Sequence, residues 1–205
     1  MENATLNSIK KRRSVTNFLS RQISKKDIYT ILEAGRWAPS RFNTQPWKFI
    51  VVSDEIVKSY TSEIIPTVFK NAIKTAPIFI AVCVNPEISP NHYIEEGAIA
   101  TQNMALAAYS IGLGSSWIGT FSLSNEKKSA ERKIKELLRI PKKWRLISIL
   151  PIGYPKFIGE KPRKELTEII NWDYFQSIEK KLATEKIEQK SKNKKILTPS
   201  STPPI

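Results

Sequence analysis

The chain has 205 residues, 40% hydrophobic and 25% charged, with a formal net charge of +14; that length builds one domain with a real core and leaves no room for two ordinary ones. The longest apolar run, PIFIAVCV at residues 77–84, has the length of a buried strand and not of a membrane span, and no apolar segment follows the charges of MENATLNSIKKRRS, so neither a membrane-spanning segment nor a signal peptide is expected. The charge points to anionic partners, and it is not confined to the end of the chain: from Gln176 onward seven lysines meet three glutamates, a net +4, which leaves +10 of the +14 on the residues before.

In chain order, Leu6 and Ile9 predict a short helix ending near KKRRS. Ser24 and Asp27 stand as an N-cap pair before Ile28, Ile31 and Leu32, so a second helix starts there. It ends by Arg36–Trp37, because Ala38 precedes Pro39 and is pushed out of the α region. WKFIVVS (47–53) reads as a strand, and residues 54–75 as helix with a break at Pro66. PIFIAVCV is a central strand, apolar on both faces. Its Cys83 is the single cysteine; it can form no internal disulfide, reads as a small core residue, and makes a reduced cytoplasmic setting the expectation. From Ile94 to Ile111 small and apolar residues run almost all the way round a helix, and Gly112 supplies its stop. Such a helix is buried in the core or in a subunit interface. SSWIGTF (115–121) is short and strand-like, Ser124 is the expected cap of a helix that Pro141 ends, RLISILPIGY (145–154) is a further strand, and GEKPRKELTEII (159–170) is polar and then amphipathic. With three or four strands among the helices the fold class is α+β. No GxGxxG follows a first strand, which disfavours a dinucleotide-binding domain of that type. His92, the only histidine, reads as a surface residue at a helix start, and no metal site is expected.

Four stretches carry chemistry. Arg12, Arg13 and Ser14 can grip a phosphate, since arginine gives charged bidentate contacts and serine a hydroxyl donor; basic residues at a helix end also complement its dipole. APSRFNTQPWKF (38–49) combines stiffening prolines, the donors and acceptors of Ser40, Asn43 and Gln45, and the flat surfaces of Phe42 and Trp47, which suits a planar heterocycle with polar edges. GLGSSWIGTF (112–121) lets backbone approach a ligand closely through its glycines. Arg163 and Lys164 in GYPKFIGEKPRKEL offer a second phosphate grip.

KRRSVTNF, APSRFNTQPWKFIVV, GAIATQNMALAAYSIGLGSSWIGTF and IGYP…PRKEL together resemble, in order and spacing, the nitroreductase family of FMN-dependent oxidoreductases, over roughly residues 8–172. The resemblance implies a nitroreductase-like domain over residues 1–175, with Gln102 and Asn103 as structural polar positions of the apolar helix; outside it, composition alone reads 176–205 as a basic, lysine-rich tail, helical and then disordered. It implies a mixed, largely antiparallel sheet flanked by helices, and an intertwined homodimer with FMN at the interface. Arg12, Arg13, Ser14 and Arg163 would hold the phosphate and ribityl chain; Pro39, Ser40 and Asn43 would line the flavin from the partner subunit, buttressed by Gln45 and Trp47. The backbone at Trp117, Ile118 and Gly119 would face the flavin, with an N–H toward N5. The implied reaction is ping-pong hydride transfer from NADH or NADPH through N5 to a nitroaromatic, quinone or similar small acceptor, with no catalytic side chain. Relatives of the same fold carry out reductive dehalogenation or flavin breakdown, using added lid segments that the short stretch before residue 90 does not offer. Where the family commonly has a basic residue, this chain has Thr16, which adds no charge; Arg41 or Lys48 are the candidates to compensate. A basic nucleic-acid or anionic-surface binder is the non-enzyme alternative, disfavoured because the tail lysines are not interleaved with aromatics.

Overall fold

The run expected as a central strand does occupy the centre. In the computed structural model, which describes residues 3–121 and 129–175, it forms β2 (Ile78–Val84), buried at every position. β2 lies between β1 (Trp47–Val52) and β5 (Arg145–Gly153), antiparallel to both. Two short strands, β3 (Gly114–Ser115) and β4 (Ile118–Gly119), pair antiparallel with the outer side of β5, giving a sheet ordered β1-β2-β5-β3 with β4 also on β5. One parallel bridge, Ser14 to Ser115, adds the N-terminal segment to its edge.

The period of two along β2 sorts its side chains between two helical layers. Phe79, Ala81 and Cys83 face Ile65, Ile73 and Ile134, which come from the break after α3 (Glu55–Ile64), from α4 (Lys70–Thr75) and from α6 (Ala130–Leu137). Ile78, Ile80 and Val82 face Ile31, Met104 and Ala108 of α2 (Lys25–Arg36) and α5 (Tyr93–Ser110). The fold is therefore α+β with the sheet between two helix layers. A first helix, α1 (Ala4–Lys11), leads into the edge bridge.

Local signals set most boundaries. Ser24 Oγ accepts from the Asp27 N–H at 3.0 Å and starts α2; Gly112 adopts φ 81° just past α5, a backbone that favours glycine. α6 departs from expectation: Ser124 lies outside the described residues, and the observed N-cap is Ser129. Tertiary contacts pin that start, because the Glu131 N–H donates to Thr120 O at 3.2 Å. α5 is buried along Gly97, Ala100, Thr101, Met104 and Ala108, yet Ile99 remains 38% exposed, so one chain does not cover the whole helix. Among the described residues no helix is long and apolar enough to cross a membrane. Contacts divide the chain into two units, Met1–Glu160 and Lys161–Ile205; the second contains the short α7 (Leu166–Ile169), and the expected boundary after residue 175 falls within it. The expected helical-then-disordered tail, 176–205, lies outside the described residues.

Candidate functional site

The α1 helix ends at Lys11, and Arg12, Arg13 and Ser14 leave it directly toward β3. Val15 N–H donates to Ser115 O at 2.9 Å, and the Val15 side chain is buried at 2% exposure. That seat needs Gly114: a Cβ there would stand 2.6 Å from Val15 Cγ2. Thus the first and third stretches singled out in the sequence meet at one sheet edge. Arg12 and Thr16 are half-buried and Ser14 is exposed. Arg13 turns back: its Nη1 donates to the carbonyls of Lys10 and Arg12 at 2.5 and 2.9 Å, completing the end of α1, while its Nε is buried with no hydrogen-bond partner among the described residues.

Pro151 shapes the neighbouring backbone. β3 and β4 keep one register on β5, since Ser115 opposes Ile152 and Ile118 opposes Ile149. Between them Ser116 faces Pro151, and the Ser116 N–H donates to Pro151 O at 3.2 Å. Proline has no N–H to return to the Ser116 carbonyl, so the ladder lapses there. Trp117 emerges 36% exposed, Gly119 is exposed with open space where a Cβ would be, and Ile118 between them is buried. Ser116 Oγ is buried without a partner among the described residues. This arrangement presents bare backbone at the sheet edge that Ser14 joins.

The loop at 38–46 lies elsewhere. Trp47 is level with Val84 and hence with Arg145, whereas Ser115 is level with Ile152. From 145 to 152 at about 3.3 Å per residue, and across three strand spacings of about 4.8 Å, the two sites are roughly 25 Å apart in one chain. Within the loop, Pro39 is exposed and Ser40 half-buried, with Ser40 Oγ accepting the Gln45 N–H at 2.9 Å. Phe42, Asn43 and Gln45 all have positive φ, and Phe42 is 86% exposed. Arg41 lies over the Phe42 ring at 4.9 Å and Lys48 over the Trp144 ring at 5.3 Å; both sit at this end, away from Thr16 of the same chain.

Sequence reasoning passed over Glu96. It is 3% exposed, and its Oε1 accepts the Arg41 N–H at 2.7 Å. The signal was present: an acid on a helix otherwise small and apolar. Asn103 is structural as expected, its Nδ2 donating to Ala34 O at 3.2 Å. His92 is exposed at the start of α5. Burial pushes the Cys83 thiol up to about 12. In the second unit Arg163 is exposed, and its Nη1 donates to Pro162 O at 3.3 Å. A cavity of about 730 Å³ lines α6 between Glu131 and Lys142 and includes none of the motif residues; of its two carboxylates, Glu131 is engaged by Arg145 and Glu136 by Arg132. Among the described residues no His, Cys, Asp and Glu are grouped to hold a metal ion.

The model of the nitroreductase family matches residues 9–76 and 57–154. An Archaeoglobus fulgidus protein named "Putative NADH dehydrogenase/NAD(P)H nitroreductase" is 38% identical over 171 residues, covering 82% of this chain and 94% of that protein. The iodotyrosine deiodinase of Thermotoga neapolitana is 27% identical over 184 residues, 78% of this chain and 92% of that protein. The solved structure of an FMN-dependent nitroreductase from Clostridium difficile matches with a TM-score of 0.75 at 27% identity, over 83% of this chain and 99% of that one. The chain is a member of the nitroreductase family of oxidoreductases.

Proposed function

We propose that this protein binds FMN and passes electrons from NADH or NADPH to a small acceptor such as a nitroaromatic or a quinone, working as a homodimer with the cofactor between two copies. The observation that carries this is the Ser14–Ser115 bridge, which sets Arg12 and Ser14 beside the lapsed ladder at Ser116–Gly119. Those groups fit FMN. Arginine and serine donors match a phosphate monoester, and the buried Ser116 hydroxyl lacks a partner among the described residues. The open face at Gly119 admits a ring without a side chain in the way. Bound FMN supplies hydride chemistry at N5.

Around it the chain's own groups bind and orient. Arg12 and Ser14 would hold the phosphate. The backbone of Trp117, Ile118 and Gly119 would face the ring, and the buried Ile118 side chain below keeps that backbone rigid. Pro39, Ser40 and Asn43 would reach the same cofactor from the second copy, because roughly 25 Å separates them from Arg12–Ser14 within one chain. Exposed apolar residues favour that partner: Leu6 and Ile9 of α1 are 52% and 51% exposed, and Trp37 beside them is 72% exposed. The positive body attracts an anionic cofactor and donor.

The test is the absorbance spectrum of the purified protein, as isolated and after mixing with FMN and desalting. Retained flavin bands, bleached anaerobically by NADH or NADPH, are expected; a folded dimer that retains none would overturn the proposal. The deiodinase relatives support a second reading, reductive dehalogenation. Between β1 and β2 this chain has only α3, a 3-10 turn and α4, with no added lid, which favours the simple reductase. Turnover of iodotyrosine faster than of nitroaromatics would reverse that preference.

A further inference from the structure

Residues 40–45 hold a conformation that their side chains oppose. Phe42, Asn43 and Gln45 have φ of 50°, 58° and 49°. Asparagine visits this region readily, but phenylalanine and glutamine do so at a cost, and such backbone persists only where the surroundings enforce it. The loop's internal bonds are short-range: Asn43 N–H to Ser40 O at 3.0 Å, Thr44 N–H to Arg41 O at 3.1 Å, and Gln45 N–H to Ser40 Oγ at 2.9 Å. These shape the turn without aiming it. Two bonds tie it to the body: just past the turn the Asn85 N–H donates to Pro46 O at 2.9 Å, and at its start the Arg41 N–H donates to Glu96 Oε1 at 2.7 Å across 55 residues of sequence.

Glu96 is an expensive way to satisfy one amide. It is 3% exposed in a helix whose other buried positions are glycine, alanine, threonine and methionine. A buried carboxylate pays a desolvation penalty that only strong hydrogen bonds offset. Here one oxygen has its bond, while Oε2 is buried with no partner among the described residues. A charge-assisted bond to a backbone N–H is about twice as strong as a neutral one, which suits a contact that must hold a strained turn.

We propose that Glu96 is a positioning residue for the flavin: by holding the Arg41 amide it fixes the strained turn, and with it the direction in which Ser40 and Asn43 point. The chain of action runs from α5, through one hydrogen bond, to the loop that completes the site. It rests on the FMN reading above, but the anchoring itself is measurable in protein without flavin.

Two pairs of variants test it in the full chain. Glu96→Ala removes the acceptor, and Glu96→Gln keeps an acceptor for the same amide. Arg41→Pro removes the donor N–H, and Arg41→Ala removes the side chain but keeps the N–H. Proline fits position 41, because Ser40 is extended (φ −141°, ψ 153°) and residue 41 opens a 3-10 turn. The readouts are amide hydrogen exchange at Asn43, Thr44 and Gln45 without flavin, and the Kd for FMN. Exchange at these amides is expected to be at least tenfold faster in Glu96→Ala than in Glu96→Gln, and at least tenfold faster in Arg41→Pro than in Arg41→Ala. FMN binding is expected to weaken about tenfold within each pair. Equal exchange within both pairs would overturn the proposal, as would faster exchange with unchanged FMN affinity. If Glu96→Ala does not fold, the Arg41 pair decides alone. If the unaltered protein binds no FMN, the cofactor reading fails while the exchange arm still decides whether Glu96 anchors the loop.

Discussion

Gly114→Ala tests how the N-terminal segment is seated. The added Cβ would lie 2.6 Å from Val15 Cγ2, 3.1 Å from Val15 Cβ and 3.3 Å from Pro155 Cβ. Side-chain Cβ atoms do not approach carbon that closely, and valine is stiff at χ1, so Val15 must move as a unit. Overpacking of this kind costs about 1–3 kcal/mol. Two sub-3.2 Å contacts to a β-branched, fully buried neighbour put the expected loss near the top, about 2.5 kcal/mol. Val15→Ala alone removes two buried methyls and leaves a hole, for about 2 kcal/mol. In the double variant the 2.6 Å contact is gone while those to Val15 Cβ at 3.1 Å and Pro155 Cβ at 3.3 Å remain, so its cost should exceed that of Val15→Ala by about 1 kcal/mol, well short of additivity. Urea unfolding of the four proteins, followed by tryptophan fluorescence, gives the coupling directly. Additive losses summing to about 4.5 kcal/mol would show that Val15 does not rest on Gly114, and the placement of Arg12–Ser14 beside β3 would fall with it.

Two further outcomes follow from buried groups. The Cys83 thiol is held neutral to about 12, because burial raises it most and the Glu131 charge adds to this, against the opposing Lys135 charge. A thiol in the unfolded chain ionises near 8.5–9. The folded state therefore keeps a proton that the unfolded state loses, and this contribution is whole below about pH 9 and declines toward pH 12, by about 1.4 kcal/mol per unit. The difference in unfolding free energy between the native protein and Cys83→Ala should shrink by about 2 kcal/mol from pH 8.5 to 10.5; a constant difference would exclude the effect. Glu131 is 1% exposed and accepts from Arg145 Nε at 2.8 Å, Arg145 Nη2 at 2.9 Å and the Leu146 N–H at 3.0 Å. Glu131→Ala should cost about 3–5 kcal/mol in urea unfolding, and a loss below about 1 kcal/mol would show the pair to be dispensable.

What the sequence announced depended on how local its cause was. Ser24 capping α2, Gly112 ending α5 and the two-faced apolar run of β2 are decided within a few residues, and all are as read. The start of α6 is not. SLSNEKKSAER offers serines at 122, 124 and 129 before good helix formers, and the choice of Ser129 depends on Glu131 meeting Thr120 and Arg145. The expected single strand over 115–121 likewise became β3 and β4, because the interruption is imposed from Pro151. Within the site, the conjunction of Arg12–Ser14 with Ser115 could be anticipated only through the family resemblance. Arg13 spends a nitrogen on the end of α1, as its place after Lys10 and Lys11 allowed. Glu96 escaped notice because periodicity counts apolar positions and passes over the one charge they enclose.

Pro151 has a consequence for how this opening can be inherited or lost. The bare backbone at Ser116–Trp117 is specified by a subtraction, and the residue that makes it lies on a different strand from the residues that line it. Any other amino acid at 151 would restore an N–H facing the Ser116 carbonyl and invite the sheet to zip shut across the gap. Every named binding residue would still be in place. A survey of such proteins that tracked only those residues would count the variant as intact, although its cleft had been closed from behind by a single added proton donor.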